Sequence, residues 1–429
     1  MTERRVVITG IGPVTPVGIG VEEFWNNLKA GKSGISELSP ERMNGYDCPV
    51  KIGGEVKNFD VKNYYEDRKV LRSLTKDMDP FSQFAVVATK HAVEDSGIDF
   101  DKLEEYGTDR TRVATFVGTG IGGISTTCDD AKTLDSRGLK ALGLRSIIRL
   151  MPNAASGHIG IMWGLQGRAK SDSTACASGL DSMIDAYWYI KNGLADVMVT
   201  GGTEACLNPL AISSFYNMTA LSRRETAAEE ASCPFDARRD GFVMSEGAMV
   251  FTLEELSLAK KRGAKIYGEF IGAGASCDAY HITAPTEDGS GGARAIEMAL
   301  ETAGLKDNRE AIDYIHAHGT STPLNDARET LAVKKVFADH AYKLSMSSTK
   351  SMTGHMIGAA GPTGFAAAVL ACRDNIVPPT INYKEADPAC DLDYVPNTAK
   401  EREVNYAIVQ ALGFGGHNTV AIVKKFTDW

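Results

Sequence analysis

Two hydrophobic patterns alternate along the chain. Short apolar runs that end in glycine turns predict buried strands, first at Arg5-Val-Val-Ile-Thr-Gly-Ile-Gly and again at Ile266-Tyr-Gly-Glu-Phe-Ile-Gly-Ala-Gly. Arg112-Val-Ala-Thr-Phe-Val-Gly-Thr-Gly and Tyr314-Ile-His-Ala-His-Gly-Thr are further strands, each running into a loop of small residues. The runs at Asp196-Val-Met-Val-Thr-Gly-Gly and Gly247-Ala-Met-Val-Phe-Thr-Leu close the first set. Tyr406-Ala-Ile-Val-Gln-Ala-Leu-Gly and Thr419-Val-Ala-Ile-Val close the second. Patterns of helical period lie between the strands. The clearest places Ala177, Leu180, Met183, Ile184, Tyr187 and Ile190 on one face and stops at Asn192-Gly193. This repetition predicts two related α/β halves sharing one core, residues 1–257 and 258–429.

With 429 residues, 43% of them hydrophobic, the chain can bury a large core. Its net charge of -9 argues against general nucleic-acid binding, and an acidic partner would need a local basic patch. No apolar run approaches the roughly 18 residues of a membrane span, so no membrane partner is expected. The eight cysteines are scattered without a CxxC pair, which fits a reducing, cytoplasmic compartment.

The stretch Asp172-Ser-Thr-Ala-Cys-Ala-Ser-Gly179 places Cys176 in the first turn of the predicted helix. Free N–H groups and the positive end of the helix dipole there would favour thiolate and lower the thiol pKa. Most free cysteines are small buried hydrophobes, so the helix start alone does not make a nucleophile. Three glycine-bounded segments add weight: His316-Ala-His-Gly-Thr-Ser-Thr322, Ser348-Thr-Lys-Ser-Met-Thr-Gly-His-Met-Ile-Gly-Ala-Ala-Gly361 and Leu412-Gly-Phe-Gly-Gly-His-Asn418. They supply His318, Lys350, His355 and Phe414, with backbone free to approach a substrate and present N–H groups to an oxyanion. Each is more often structural when taken singly; their joint occurrence points to nucleophilic catalysis.

Other signals are weaker. Gly118-Thr-Gly120-Ile-Gly-Gly123 fits GxGxxG but lacks a second strand ending in a ribose-binding acid, and Gly31-Lys32-Ser33 has Asn26 where a phosphate loop needs glycine. His316 alternates with His318 and would suit a metal pair, but no cysteine or carboxylate cluster is evident to complete a site. No metal is expected.

Together these segments resemble the elongating β-ketoacyl-acyl-carrier-protein synthases. The resemblance spans essentially the whole chain and rests on Thr174-Ala-Cys-Ala-Ser-Gly, Pro234-Phe-Asp-Ala-Arg-Arg-Asp-Gly-Phe-Val, Ala317-His-Gly-Thr-Ser-Thr, Lys350-Ser-Met-Thr-Gly-His, Pro378-Pro-Thr-Ile-Asn and Gly413-Phe-Gly-Gly. It implies an α/β, thiolase-like, five-layered αβαβα fold of two duplicated βαβαβαββ halves, normally dimeric. It further implies decarboxylative condensation of a Cys176-bound acyl chain with malonyl-carrier protein, without a bound cofactor, the phosphopantetheine arm arriving on the acyl carrier protein. Cys176 and Phe414 would furnish oxyanion-hole N–H groups, His318 and His355 would polarise the malonyl thioester, and Lys350 would orient them. Thr320 and Thr322 would hold the pantetheine arm, with Phe414 as a gate.

The chain departs from the family pattern in three places. Gly364 stands where a glutamate of the lysine's polar network is usual, His316 replaces an asparagine, and His417 replaces a threonine. Several stretches, among them Ser178-Gly-Leu-Asp-Ser, lean towards the type II polyketide branch, where the active subunit pairs with a cysteine-less chain-length factor. The alternatives are a homodimeric fatty-acid elongating synthase, a thiolase or starter-unit synthase acting on coenzyme A, and a non-catalytic carrier-binding partner. An acidic carrier protein would need a basic surface. Arg68, Lys69, Arg72 and Lys76 form one candidate set, with Arg145, Arg149, Arg223 and Arg224 as others.

Overall fold

The computed structural model describes residues 4–43 and 45–427. Its first half contains strands β1 (Val6–Thr15), β2 (Val113–Gly118), β3 (Ala169–Lys170), β4 (Val197–Glu204) and β5 (Gly247–Glu255), with helices α1 (Pro80–Ser96), α2 (Ala154–Trp163) and α3 (Ser178–Lys191) between them. The second half repeats this plan. Strands β6 (Gly268–Cys277), β7 (Tyr314–His316), β8 (Ser345–Ser347), β9 (Tyr406–Gly413) and β10 (His417–Lys424) alternate with helices α4 (Ser290–Thr302), α5 (Pro323–Phe337) and α6 (Ala360–Asp374).

Strand order is β3-β2-β4-β5-β1 in the first half and β8-β7-β9-β10-β6 in the second, the same arrangement of corresponding strands. In each half the strands joined through helices pair in parallel, while the last two strands pair antiparallel. The halves join where Val6, Val7 and Ile8 of β1 pair antiparallel with Phe270, Glu269 and Gly268 of β6.

Helix composition explains the layering. α6 is buried continuously from Ala360 to Cys372, as expected of a helix apolar on all sides. With α3 it fills the space between the two sheets, touching β9 and β7 on one side and β5 on the other. The α3 face predicted from sequence is buried at Leu180, Met183, Ile184, Tyr187 and Ile190. Outside this central core, α1 and α2 cover the first sheet, and α4 and α5 the second. Close backbone approach fixes the centre. A β-carbon on Gly179 or Gly202 would lie 2.3 or 2.2 Å from the Gly358 carbonyl oxygen, so α3, β4 and the turn before α6 meet only because both positions are glycine.

Candidate active site

Cys176 sits at the meeting of the halves, in a 3₁₀ turn, Ala175–Ala177, directly before α3. The sequence pattern placed it inside the first helical turn. It instead lies in the turn that precedes the regular helix, next to Ala175 with its left-handed φ of 51°. The expected lowering of its pKa does not hold. Burial pushes the thiol up to about 12; the Lys350 charge and the backbone N–H groups of Phe414 and Cys176 oppose that rise, while Glu204 adds to it.

His355 approaches from the turn before α6, its Nε2 3.1 Å from Cys176 Sγ. The Ile357 backbone N–H donates to His355 Nδ1 at 3.3 Å. An accepting Nδ1 leaves the proton of the neutral ring on Nε2, facing the sulfur. Burial, then the nearby Lys350 charge, holds this imidazole well below its ordinary pKa. Phe242 packs edge-on against it, with ring centroids 5.1 Å apart.

His318 follows β7 and meets His355 edge to face at 5.4 Å between centroids. Burial, Lys350 and both neighbouring histidines keep it neutral. Its backbone is held at both ends: its N–H donates to Glu329 Oε1 at 2.6 Å, and its carbonyl oxygen accepts from Lys350 Nζ at 2.5 Å. Glu329 also accepts the Gly319 N–H at 2.8 Å. Buried between these donors, Glu329 is pushed above the usual carboxylate range, chiefly by desolvation, and Lys350 is drawn below its ordinary value by burial against the opposing pull of Glu329, Cys176 and Asp326. The acid facing Lys350 therefore comes from α5. Sequence reading missed Glu329, although Asp326 and Glu329 share a face in the first turns of α5, beside the loop N–H groups they accept.

His316 does not join His318 in a metal pair. Its Nε2 lies 2.9 Å from Thr349 Oγ1, and it is not in the grouping of Cys176, His318 and His355. Among the described residues, the grouping with metal-ligand spacing is Cys176, His318 and His355, whose ligand atoms lie within 4.8 Å of one another. Glu204 is a second residue the sequence did not flag. It accepts the N–H groups of Gly120 and Gly358 at 2.8 and 3.1 Å, and the Thr119 hydroxyl at 3.0 Å. The GxGxxG loop thus wraps the protein's own carboxylate.

Cys176, His318 and His355 line a cavity of about 420 Å³ together with Thr320, Thr322, Phe414, Met218 and Phe242 among others. Thr320 and Thr322 hydroxyls lie 2.9 Å apart on one wall. Outside the residues lining the cavity, Arg68, Lys69, Arg72 and Lys76 are exposed on one short helix, Arg68–Lys76. Arg145 pairs with Asp77, and Arg149 lies beside the buried Asp79 carboxylate. Arg223 stacks over Tyr216, whereas Arg224 turns inward to the Glu230 carbonyl at 3.1 Å and the Cys233 sulfur at 3.0 Å.

The duplicated α/β fold is that of the thiolase-like ketosynthases. Similar solved structures include the ishigamide ketosynthase/chain length factor (TM-score 0.90, 33% identity, 99% of this chain and 100% of that one). A β-ketoacyl synthase from Burkholderia phymatum is similar at TM-score 0.89 and 33% identity over the same shares. A type II polyketide acyl-carrier protein in complex with its ketosynthase bound to the hexaketide matches at TM-score 0.88 and 34% identity, again over 99% and 100%. The chain belongs to the β-ketoacyl synthase family: residues 3–259 match its N-terminal domain and residues 267–384 its C-terminal domain. Full-length relatives include the 3-oxoacyl-[acyl-carrier-protein] synthase 2 of Synechocystis sp., 42% identical over 99% of both chains, and that of Coxiella burnetii, 43% identical over 100% of both. It is a condensing enzyme of the acyltransferase class.

Proposed function

We propose that Cys176 takes an acyl group from an acyl carrier protein and that this group is condensed with a malonyl unit delivered on a second carrier's phosphopantetheine arm. The observation that carries this reading is the convergence of the Cys176 sulfur with His318 and His355 nitrogens, all within 4.8 Å, in the wall of one cavity. In the first step the sulfur attacks the incoming thioester, the pantetheine thiol leaves with the proton, and the N–H groups of Cys176 and Phe414 hold the oxyanion. In the second, the malonyl carbon–carboxylate bond breaks. Carbon dioxide departs, and the electron pair passes into an enolate whose oxygen accepts hydrogen bonds from neutral His318 and His355. The enolate carbon attacks the acyl thioester, and the Cys176 sulfur leaves and regains a proton, as the high thiol pKa favours. Lys350 holds His318 in place, Thr320 and Thr322 hold the pantetheine arm, and Phe414 gates the cavity.

The carrier would dock on Arg68, Lys69 and Arg72, with the guanidinium of the partly exposed Arg224 engaged by the Glu230 carbonyl and the Cys233 sulfur. The halves, residues 1–257 and 258–429, each contribute: the first the nucleophile, the second the histidines and lysine. Leu139, Leu144, Ile147 and Ile148 are exposed in one segment, which supports an oligomer. The identity to synthase 2 relatives favours a homodimer in fatty-acid elongation. The polyketide neighbours and the altered network around Lys350 favour a specialised ketosynthase paired with a homologous subunit.

The test is to mix the purified chain with acyl-loaded and malonyl-loaded carrier proteins and follow Cys176 acylation and 3-oxoacyl product by intact mass. Condensation by the chain alone supports the homodimer. Acylation with extension only after co-expression of a cysteine-less homologue supports the heterodimer. A Cys176→Ala protein that still condenses at the unaltered rate would sink the mechanism.

A further inference from the structure

Two of the departures from the family pattern touch each other. A β-carbon on Gly364 of α6 would lie 2.4 Å from His316 Nδ1 and 2.6 Å from Cε1, well inside van der Waals contact. His316 is 1% exposed, and its Nδ1 has no hydrogen-bond partner among the described residues. Its other nitrogen meets the Thr349 hydroxyl at 2.9 Å. Thr349 immediately precedes Lys350, and His316 stands two residues before His318. The His316–Thr349 contact and the Lys350–His318 hydrogen bond are therefore two rungs joining the same two backbone segments.

We infer that His316 and Gly364 act as one exchangeable unit, in which the imidazole fills the volume of a side chain at 364 and braces Thr349, so setting the place of Lys350 and the His318 backbone. His316 is thus a positioning residue; its role rests on the reading of His318 and Lys350 above. The pair also sets charge. The titratable groups facing Lys350 are Glu329, Asp326, Cys176, His316, His318 and His355, and the acids among them lie on α5. A buried imidazole beside an ammonium stays neutral, whereas a carboxylate at 364 would add a negative charge on the α6 side and raise the lysine's proton affinity.

The experiment compares the intact enzyme with Gly364→Ala, His316→Asn, His316→Asn/Gly364→Ala and His316→Asn/Gly364→Glu. Melting temperature, the rate of Cys176 alkylation by iodoacetamide, and the pH profile of condensation are measured for each. Gly364→Ala alone should lower the melting temperature and reduce kcat roughly tenfold to a hundredfold with KM for malonyl carrier little changed, because it shifts the ring and the groups behind it. Adding His316→Asn should recover most of both losses. The double exchange with glutamate should move the alkaline limb of the profile upward by about one pH unit. A harmless Gly364→Ala, a double variant no better than that single one, or an unmoved alkaline limb would each overturn the inference. If the unaltered chain does not condense at all, the functional reading fails, while melting and alkylation of the variants still decide whether the two positions are coupled.

Discussion

Lys350 donates through Nζ to the His318 carbonyl oxygen at 2.5 Å, so an ammonium, rather than a backbone group, terminates the strand end that carries His318. Removing that donor leaves a buried carbonyl without a partner and Glu329 without its neighbouring cation. Lys350→Met should destabilise the fold by about 1–3 kcal/mol, softened because Glu329 can take up a proton. It should also slow Cys176 alkylation at pH 8, since the Lys350 charge pulls the thiol pKa down. Denaturant unfolding and timed mass spectrometry read the two effects separately. Faster alkylation in the variant would contradict this placement of the charge.

The Cys176 thiol is pushed up to about 12 by burial, and His355 is held well below its ordinary value. A raised thiol pKa means the proton stays on sulfur throughout the physiological range, and the thiolate fraction grows about tenfold per pH unit. Alkylation of Cys176 by iodoacetamide should therefore rise steadily from pH 7 to pH 9 without a plateau. A plateau below pH 8 would show instead a preformed thiolate–imidazolium pair. Alkylation of the exposed Cys277 serves as an internal reference.

Much of this arrangement was legible in the chain. Apolar runs ending in glycine turns located the strands, and the α3 stripe from Leu180 to Ile190 located the face that packs inward. The glycine-bounded loops identified Cys176, His318, Lys350 and His355, which the structure brings together. What remained hidden depends on side-chain direction and burial. Glu329 and Glu204 look like ordinary charges until tertiary packing turns each toward loop N–H groups. The thiol pKa reversed direction because desolvation at the junction of two sheets outweighs a helix start, and burial depth cannot be read from local spacing. The His316–Gly364 contact joins strand and helix through three-dimensional packing alone.

Gly413 ends β9 beside the Cys176 turn. A β-carbon there would lie 2.7 Å from the Thr174 carbonyl oxygen and 3.4 Å from the Cys176 nitrogen. Both are backbone atoms with little freedom to yield. Gly413→Ala should push the strand end away and draw the Phe414 N–H from the sulfur. Loss of one aligned oxyanion donor costs roughly 10²- to 10³-fold in comparable sites, so acylation of Cys176 should fall by about that factor. Circular dichroism should remain unchanged. Acylation at the unaltered rate would show that the Phe414 N–H is not used.

The exposed Arg68, Lys69 and Arg72 lie on a helix that buries only Leu74 and is capped by the Asp67 carboxylate. Such a short, weakly anchored helix contributes little to the core, so charge reversal there should not unfold the enzyme. Arg68→Glu/Arg72→Glu should raise KM for an acidic carrier protein roughly tenfold at low salt while leaving kcat within about twofold, because surface charges steer encounter rather than chemistry. Raising ionic strength should shrink the difference as the pair interactions are screened. Steady-state kinetics at 20 and about 300 mM salt distinguish this from a structural effect, which salt would leave in place. Equal KM at low salt would move the docking surface elsewhere, with the half-exposed Arg145 and Arg223 positions next to be reversed.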